Sequence, residues 1–170
     1  MAEPSTPSAN PRIEARGYAL LLARRALQET LSGLPEELLW KAPGEASASI
    51  GEIARAAWTR EMYWIWPQGT PTPELEERPS LAGVLYGLVR FRGVTEELLM
   101  RSSDADLDRP YVSDMRSQDG SEPRTLDWIV AELIRSELFD TAQLQYVRGL
   151  WQPEWFGARE TWDRAAEFLS

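Results

Sequence analysis

The chain is 170 residues long and contains no His and no Cys. These absences exclude imidazole-ligated and thiolate-ligated metal sites, Ser-His and Cys-His triads, and disulfides. A net charge of −9, with a single Lys among the basic residues, opposes binding to phosphate backbones or anionic lipid, so neither nucleic acid nor a membrane surface is an expected partner.

Residues 1–11 contain three Pro, two Ser, a Thr and an Asn. They bury nothing and read as a disordered tail. They also lack the charged start and apolar middle of a secretory signal, so the expected location is cytoplasmic. Residues 12–170 are expected to form one domain, enough chain to bury about two-thirds of its unfolded surface. No apolar run approaches the roughly 20 residues needed to span a bilayer.

The first helix is predicted from Pro11 or Arg12 to Ser32. Leu20, Ala23, Leu27, Leu31 and then Leu34 carry its apolar face, with Arg16, Arg24 and Gln28 expected to face water. Gly33 supplies the stop. A connector with a helical turn near Pro35–Leu39 leads to Ser49-Ile50-Gly51-Glu52, a capping box that opens the second helix. There Ile50, Ile53, Ala57, Glu61 and Ile65 make one stripe, which places an acid on the apolar side. Pro67 ends that helix.

Four Pro and a Gly between Pro67 and Pro79 predict an irregular crossover. Ser80 caps a third helix whose buried face is Leu81, Val84, Leu85, Leu88, Phe91, Val94, Leu98 and Leu99. Gly83, Gly87 and Gly93 weaken this helix intrinsically, which suggests close helix packing or a ligand approaching the backbone. Residues 102–124 read as a polar loop with a small hairpin around Asp119-Gly120.

The fourth helix is capped by Thr125 and is predicted to end at Gly149. Its stripe is Leu126, Val130, Leu133, Glu137, Asp140, Leu144 and Val147, so two more acids sit among the core positions. A short helix from about Ala158, packing through Trp162 and Ala166, completes the chain. The fold class is therefore all-α: a four-helix bundle with crossover connections plus a short C-terminal helix.

Glu61, Glu137 and Asp140 are the candidate catalytic residues. Three carboxylates in an apolar bundle must be paired, protonated, wet or metal-bound. Arg55, Arg60, Arg90, Arg92 and Arg135 are the candidate ion partners. The remaining possibilities are a partly solvated site, an oxygen-ligated metal, and metal-free acid–base chemistry by a carboxylate pair. Eight Trp suggest core or dimer interface. Trp58, Trp128 and Gln143 would line any pocket for a small apolar or cationic molecule. Trp64 and Trp66 point about 200° apart, so at least one should leave the core.

The run Leu38-Leu39-Trp40-Lys41-Ala42-Pro43 followed by Ser49-Ile50-Gly51-Glu52-Ile53 resembles the opening of the DinB/YfiT-like family. The segment Ser136 to Gln143 is similar to that family's His-Glu-x-x-His run. The likeness covers about residues 12–150. It implies a bundle, often dimeric, in which three His bind a divalent metal for hydrolase, thiol-dependent transferase or isomerase chemistry. The positions equivalent to those ligands are Ala56, Ser136 and Asp140, so no metal and no other cofactor is expected. The resulting expectation is a divergent, non-catalytic member, a homodimer that binds a small molecule or a partner. The alternative is an enzyme that uses Asp140, Glu137 and Glu61, with or without an oxygen-ligated metal.

Overall fold

The computed structural model describes residues 10–120 and 122–155, with the backbone alone at 117–119. Four long helices dominate: α1 (Pro11–Leu31), α3 (Ile50–Ile65), α4 (Leu81–Met100) and α7 (Leu126–Trp151). Between them lie α2 (Glu36–Leu39), α5 (Asp104–Leu107), β1 (Pro110–Tyr111), α6 (Asp114–Asp119) and β2 (Arg124–Thr125). The expected C-terminal helix from about Ala158 lies outside the described residues.

The starts follow the local chemistry read from the sequence. Ser49 and Glu52 form the capping box on α3, and Ser80 and Thr125 accept from backbone N–H groups in the first turns of α4 and α7. After α1, Gly33 turns the chain with φ 65°, a conformation that costs glycine little. The end of α7 differs from expectation. The helix runs through Gly149 to Trp151, and Pro153 is the residue that prevents its continuation.

The polar loop at 102–124 is more ordered than its composition suggests. Ser103 and Asp106 form a second capping box on α5. In place of a tight hairpin at Asp119-Gly120, α6 occupies the tip, with Gly120 in the left-handed conformation at its end. Antiparallel pairing of Pro110 with Thr125 and Tyr111 with Arg124 closes the base.

Cross-helix contacts give the helix directions. Arg16 Nε donates to Asp127 Oδ1 at 2.8 Å near the starts of α1 and α7, and Arg148 Nη1 donates to Thr30 O at 2.6 Å near their ends. These two helices are parallel. Near the end of α3, Trp64 meets Trp128 at the start of α7, with ring centroids 5.3 Å apart, so α3 is antiparallel to α7. Trp58 lies against Gly87, and Thr95 donates to Glu61 further along, so α4 runs with α3. The order is up-down-down-up, and the parallel neighbours α3 and α4 require the Pro-rich crossover between them. No helix among the described residues is long and apolar enough to cross a membrane.

Two clusters share the core. One centres on Leu27, Leu31, Trp58, Leu88, Phe91 and Leu144, the other on Leu20, Ile65, Ile129, Val130 and Ile134. Trp66 is buried with the first, while Trp64 turns out to a half-buried group with Trp128 and Arg116. The glycines of α4 have separate roles. A Cβ at Gly93 would meet nothing within 4 Å, whereas one at Gly87 would stand 2.1 Å from the Trp58 ring. Gly87 is thus the close-packing position. Gly87→Ala is expected to destabilise by about 1–3 kcal/mol through overpacking, read as a lower urea midpoint. An unchanged midpoint would mean that the buried Trp58 ring has another place to go.

Candidate functional site

All seven positions of the predicted α7 stripe are buried, Glu137 and Asp140 included. Glu61 is buried on α3 as well. The structure brings Glu61 and Glu137 together at the bundle centre and sets Asp140 one turn further along α7.

At the centre each long helix contributes one charge: Arg24 from α1, Glu61 from α3, Arg92 from α4 and Glu137 from α7. The four form a closed cycle in which guanidinium and carboxylate alternate. Arg24 donates through Nη2 to Glu61 at 2.7 Å and through Nε to Glu137. Arg92 donates through Nη2 to Glu137, and its Nε lies 2.8 Å from Glu61 Oε1 but off the hydrogen-bonding line. The remaining capacity turns to the backbone and to Thr95. Arg24 donates to Leu88 O, Arg92 to Leu20 O at 3.0 Å, and Thr95 Oγ1 to Glu61 at 2.9 Å.

This cycle corrects the expectation that Arg24 faces water: it is 4% exposed. The reason is positional. Residue 24 follows Leu20 by four and precedes Leu27 by three, so it lies on the apolar stripe itself. Solvating it would require rotating α1 and exposing its leucines. Burial pulls the guanidinium down, but the charges of Glu137 and Glu61 and their hydrogen bonds outweigh it and leave the group above its ordinary value. Of the other proposed ion partners, Arg92 and Arg60 reach the acids. Arg55 donates to Glu77 O, Arg135 pairs with Glu132 on its own helix, and Arg90 stands over Phe91.

Asp140 has a different environment. Arg60, about a quarter exposed, donates twice to Oδ2, once at 2.9 Å. Burial nevertheless raises the carboxyl to about 6. Arg60 opposes that rise, and Glu137 adds to it. A carboxyl near 6 changes charge close to neutral pH, as a general base must.

The two other positions that the sequence resemblance would equate with metal ligands offer less. Ala56 is exposed on α3 and has no ligating atom. Ser136 is half-buried and donates to Glu132 at 3.0 Å. Among the described residues no group of three or more His, Cys, Asp or Glu is placed to hold a metal ion. Both central carboxylates already face two guanidiniums, so a cation would have to displace an arginine. No family model matches the chain, and no curated protein matches it at a significant level. The residues alone carry the reading.

The pocket candidates separate. Gln143 lines a cleft of about 720 Å³ between the second half of α7 and the connector before α3, with Pro43, Ala48, Ile53, Ala142 and Tyr146 around it. Trp58 is core on the opposite flank of α3 and borders a smaller cleft against α4. Trp128 belongs to neither: it is 38% exposed, meets Trp64 edge-to-face and has Arg124 over its ring.

Besides Thr95, a structural residue away from the central cycle escaped the sequence reading. Arg148 is buried and donates to Thr30 O and Ser32 O, satisfying carbonyls at the end of α1. Desolvation lowers its ordinarily very high pKa. Its signal is again position, one residue beyond Val147 on the α7 stripe.

Proposed function

We propose that the chain is a divergent DinB/YfiT-like bundle protein that binds a small apolar molecule and carries no metal. The observation behind this reading is the occupied centre. Where the resemblance would place a metal, Arg60 engages Asp140, and Glu61 and Glu137 are held by Arg24 and Arg92. The open space lies one turn further along α7, in the cleft around Ala142 and Gln143, whose lining carries no charged side chain. Its volume suits a small ligand, and apolar contact would supply most of the affinity.

Nile red serves as a neutral apolar probe. Saturable binding to the folded protein is expected, weakened at least about tenfold by Ala142→Trp, which fills the cleft from an exposed helix position. Equal binding by that variant would remove the cleft from the proposal. One equivalent of a transition metal in untagged protein, purified without chelator, would overturn the metal-free part.

The raised Asp140 carboxyl favours a second reading. In it the chain is a hydrolase or thiol-dependent transferase in which Asp140 takes up a proton, with Arg60 restoring its charge balance. Ester and thioester substrates of varied acyl group would test it. Turnover must be lost in Asp140→Asn, and an unaltered rate in that variant sinks the enzyme reading.

A further inference from the structure

The solvent side of α4 carries an apolar row that nothing in the fold covers. We propose that this row is the contact face of a homodimer, in which α4 packs antiparallel against α4 of a second copy, with the two-fold axis at Gly93. The face is separate from the α7 cleft, to whose lining α4 contributes no residue.

Spacing sets the row. Ala82, Tyr86, Val89, Gly93 and Met100 follow one another by four, three, four and seven residues, which places them along one side of a helix. The core residues Val84, Leu88, Phe91 and Leu99 occupy the other side. All five members of the row are exposed, Tyr86 by 67%, Val89 by 58% and Met100 by 78%. A contiguous apolar line of this kind marks an interaction face more often than a free surface.

Gly93 locates the crossing. A glycine inside a helix weakens it relative to alanine, so its presence asks for a reason. At Gly87 the Trp58 ring supplies one, but a Cβ at Gly93 would meet nothing within 4 Å. What the missing Cβ does permit is close approach of another backbone from outside. The middle of the row is therefore the place where a second helix can cross most closely.

The residues on either side of Gly93 identify that helix. Tyr86 lies seven positions before Gly93 and Met100 seven after. Arg90 lies three before and Glu97 four after, so these two stand two turns apart on the same edge of the row. An antiparallel copy about an axis at Gly93 brings each group beside its complement. Tyr86 meets Met100 of the second copy, a favourable ring–thioether contact, and Arg90 meets its Glu97. Each contact then occurs twice. An isologous interface requires this mirrored arrangement, and an unrelated partner does not. Both charges are available for it. Arg90 stands over the Phe91 ring and has no acid partner among the described residues, while Glu97 engages Arg101 through Oε1 alone. Glu96 falls on the opposite edge, at the solvent rim. With one helix from each copy the interface is small, so monomer and dimer should exchange.

The test is sedimentation velocity of the full chain over a concentration series. Reversible dimerisation is expected. Arg90→Glu and Glu97→Arg, both at exposed positions, should each weaken it about tenfold, because symmetry turns two attractive pairs repulsive at once. Combining the two substitutions should restore it. Gly93→Leu should block the crossing and weaken the dimer at least about tenfold. The same variant should raise the melting temperature of the dilute monomer, since leucine is the better helix former and has open space there. Those opposite signs separate a contact position from a structural one. Phe139→Arg, on the exposed side of α7, should leave the dimer unchanged. A chain that stays monomeric at every concentration overturns the proposal. So does a dimer that Phe139→Arg dissolves and Gly93→Leu spares, or a double charge swap that dimerises no better than its single variants.

Discussion

Arg24→Met is expected to lower the stability of the fold by about 3–5 kcal/mol, the cost of breaking a buried ion pair by removing one partner. At roughly 2–4 °C per kcal/mol for a chain of this size, the melting temperature should fall by about 6–20 °C. The substitution keeps side-chain length and apolar stem, so packing changes little. What changes is the balance at the centre, where Glu61 and Glu137 would share Arg92 alone. The control is a double variant, Arg24→Met with Glu137→Leu, which leaves one neutral Arg92–Glu61 pair. It should be more stable than the sum of the single losses predicts, by about 0.5–3 kcal/mol. A loss under about 1 kcal/mol for Arg24→Met alone would mean that water reaches the cycle and screens it, as at a surface pair.

A closed cycle of this kind has a consequence for alignment. Each of the four long helices contributes one charged group, and the guanidiniums also bond Leu20 O and Leu88 O on the helix backbones. Sliding any helix by a turn, a shift of about 5.4 Å, would strand a buried charge. Apolar packing alone penalises such a slide weakly, because leucines replace leucines along each stripe. The cycle therefore fixes the register of helices whose connections are too long to fix it themselves.

These features explain what the sequence made legible. Stripe position was reliable even where chemistry argued against it: Glu61, Glu137 and Asp140 lie on apolar stripes and are buried. Arg24 and Arg92 satisfy the same positional rule, Arg24 between Leu20 and Leu27, and Arg92 four residues after Leu88. Treating an arginine as a surface residue by type hid Arg24, although three acids at core positions already made buried cations an available solution. Caps were equally legible, at Ser49, Ser80 and Thr125. The spacing of Ser103 and Asp106 carried the same signal inside a segment whose polarity suggested only loop. The end of α7 was not legible, since a glycine inside a helix and a glycine after one look alike until the following residues are placed. The separation of Trp58, Trp128 and Gln143 into three environments required the helix directions, which no stripe records.

Asp140→Asn is expected to make the protein more stable near neutral pH and to flatten its pH dependence. Burial holds the Asp140 carboxyl at about 6 in the fold, against 3.8 as its ordinary value. Between those values the folded state keeps a proton that the unfolded chain releases, so stability falls as pH rises through the window. At about 1.36 kcal/mol for each tenfold change in proton affinity, the loss attributable to this group is roughly 3 kcal/mol once pH exceeds about 6. Asn resembles the protonated form and escapes that loss, while Arg60, already a quarter exposed, can turn to water. Urea unfolding from pH 4.5 to 7.5 checks this. The range starts above the region where Asp127, held low by its hydrogen bond from Arg16, begins to protonate and to weaken the fold in the opposite direction. A variant no more stable than the parent at pH 7.5 would mean that Arg60 compensates the charge fully and that Asp140 ionises like an exposed acid. The same variant also separates the two functional readings. Under the binding reading it gains stability and keeps its affinity for Nile red. Under the enzyme reading it gains the same stability and loses turnover, because retaining a strained carboxylate in the core is then the cost of having a base that works at neutral pH.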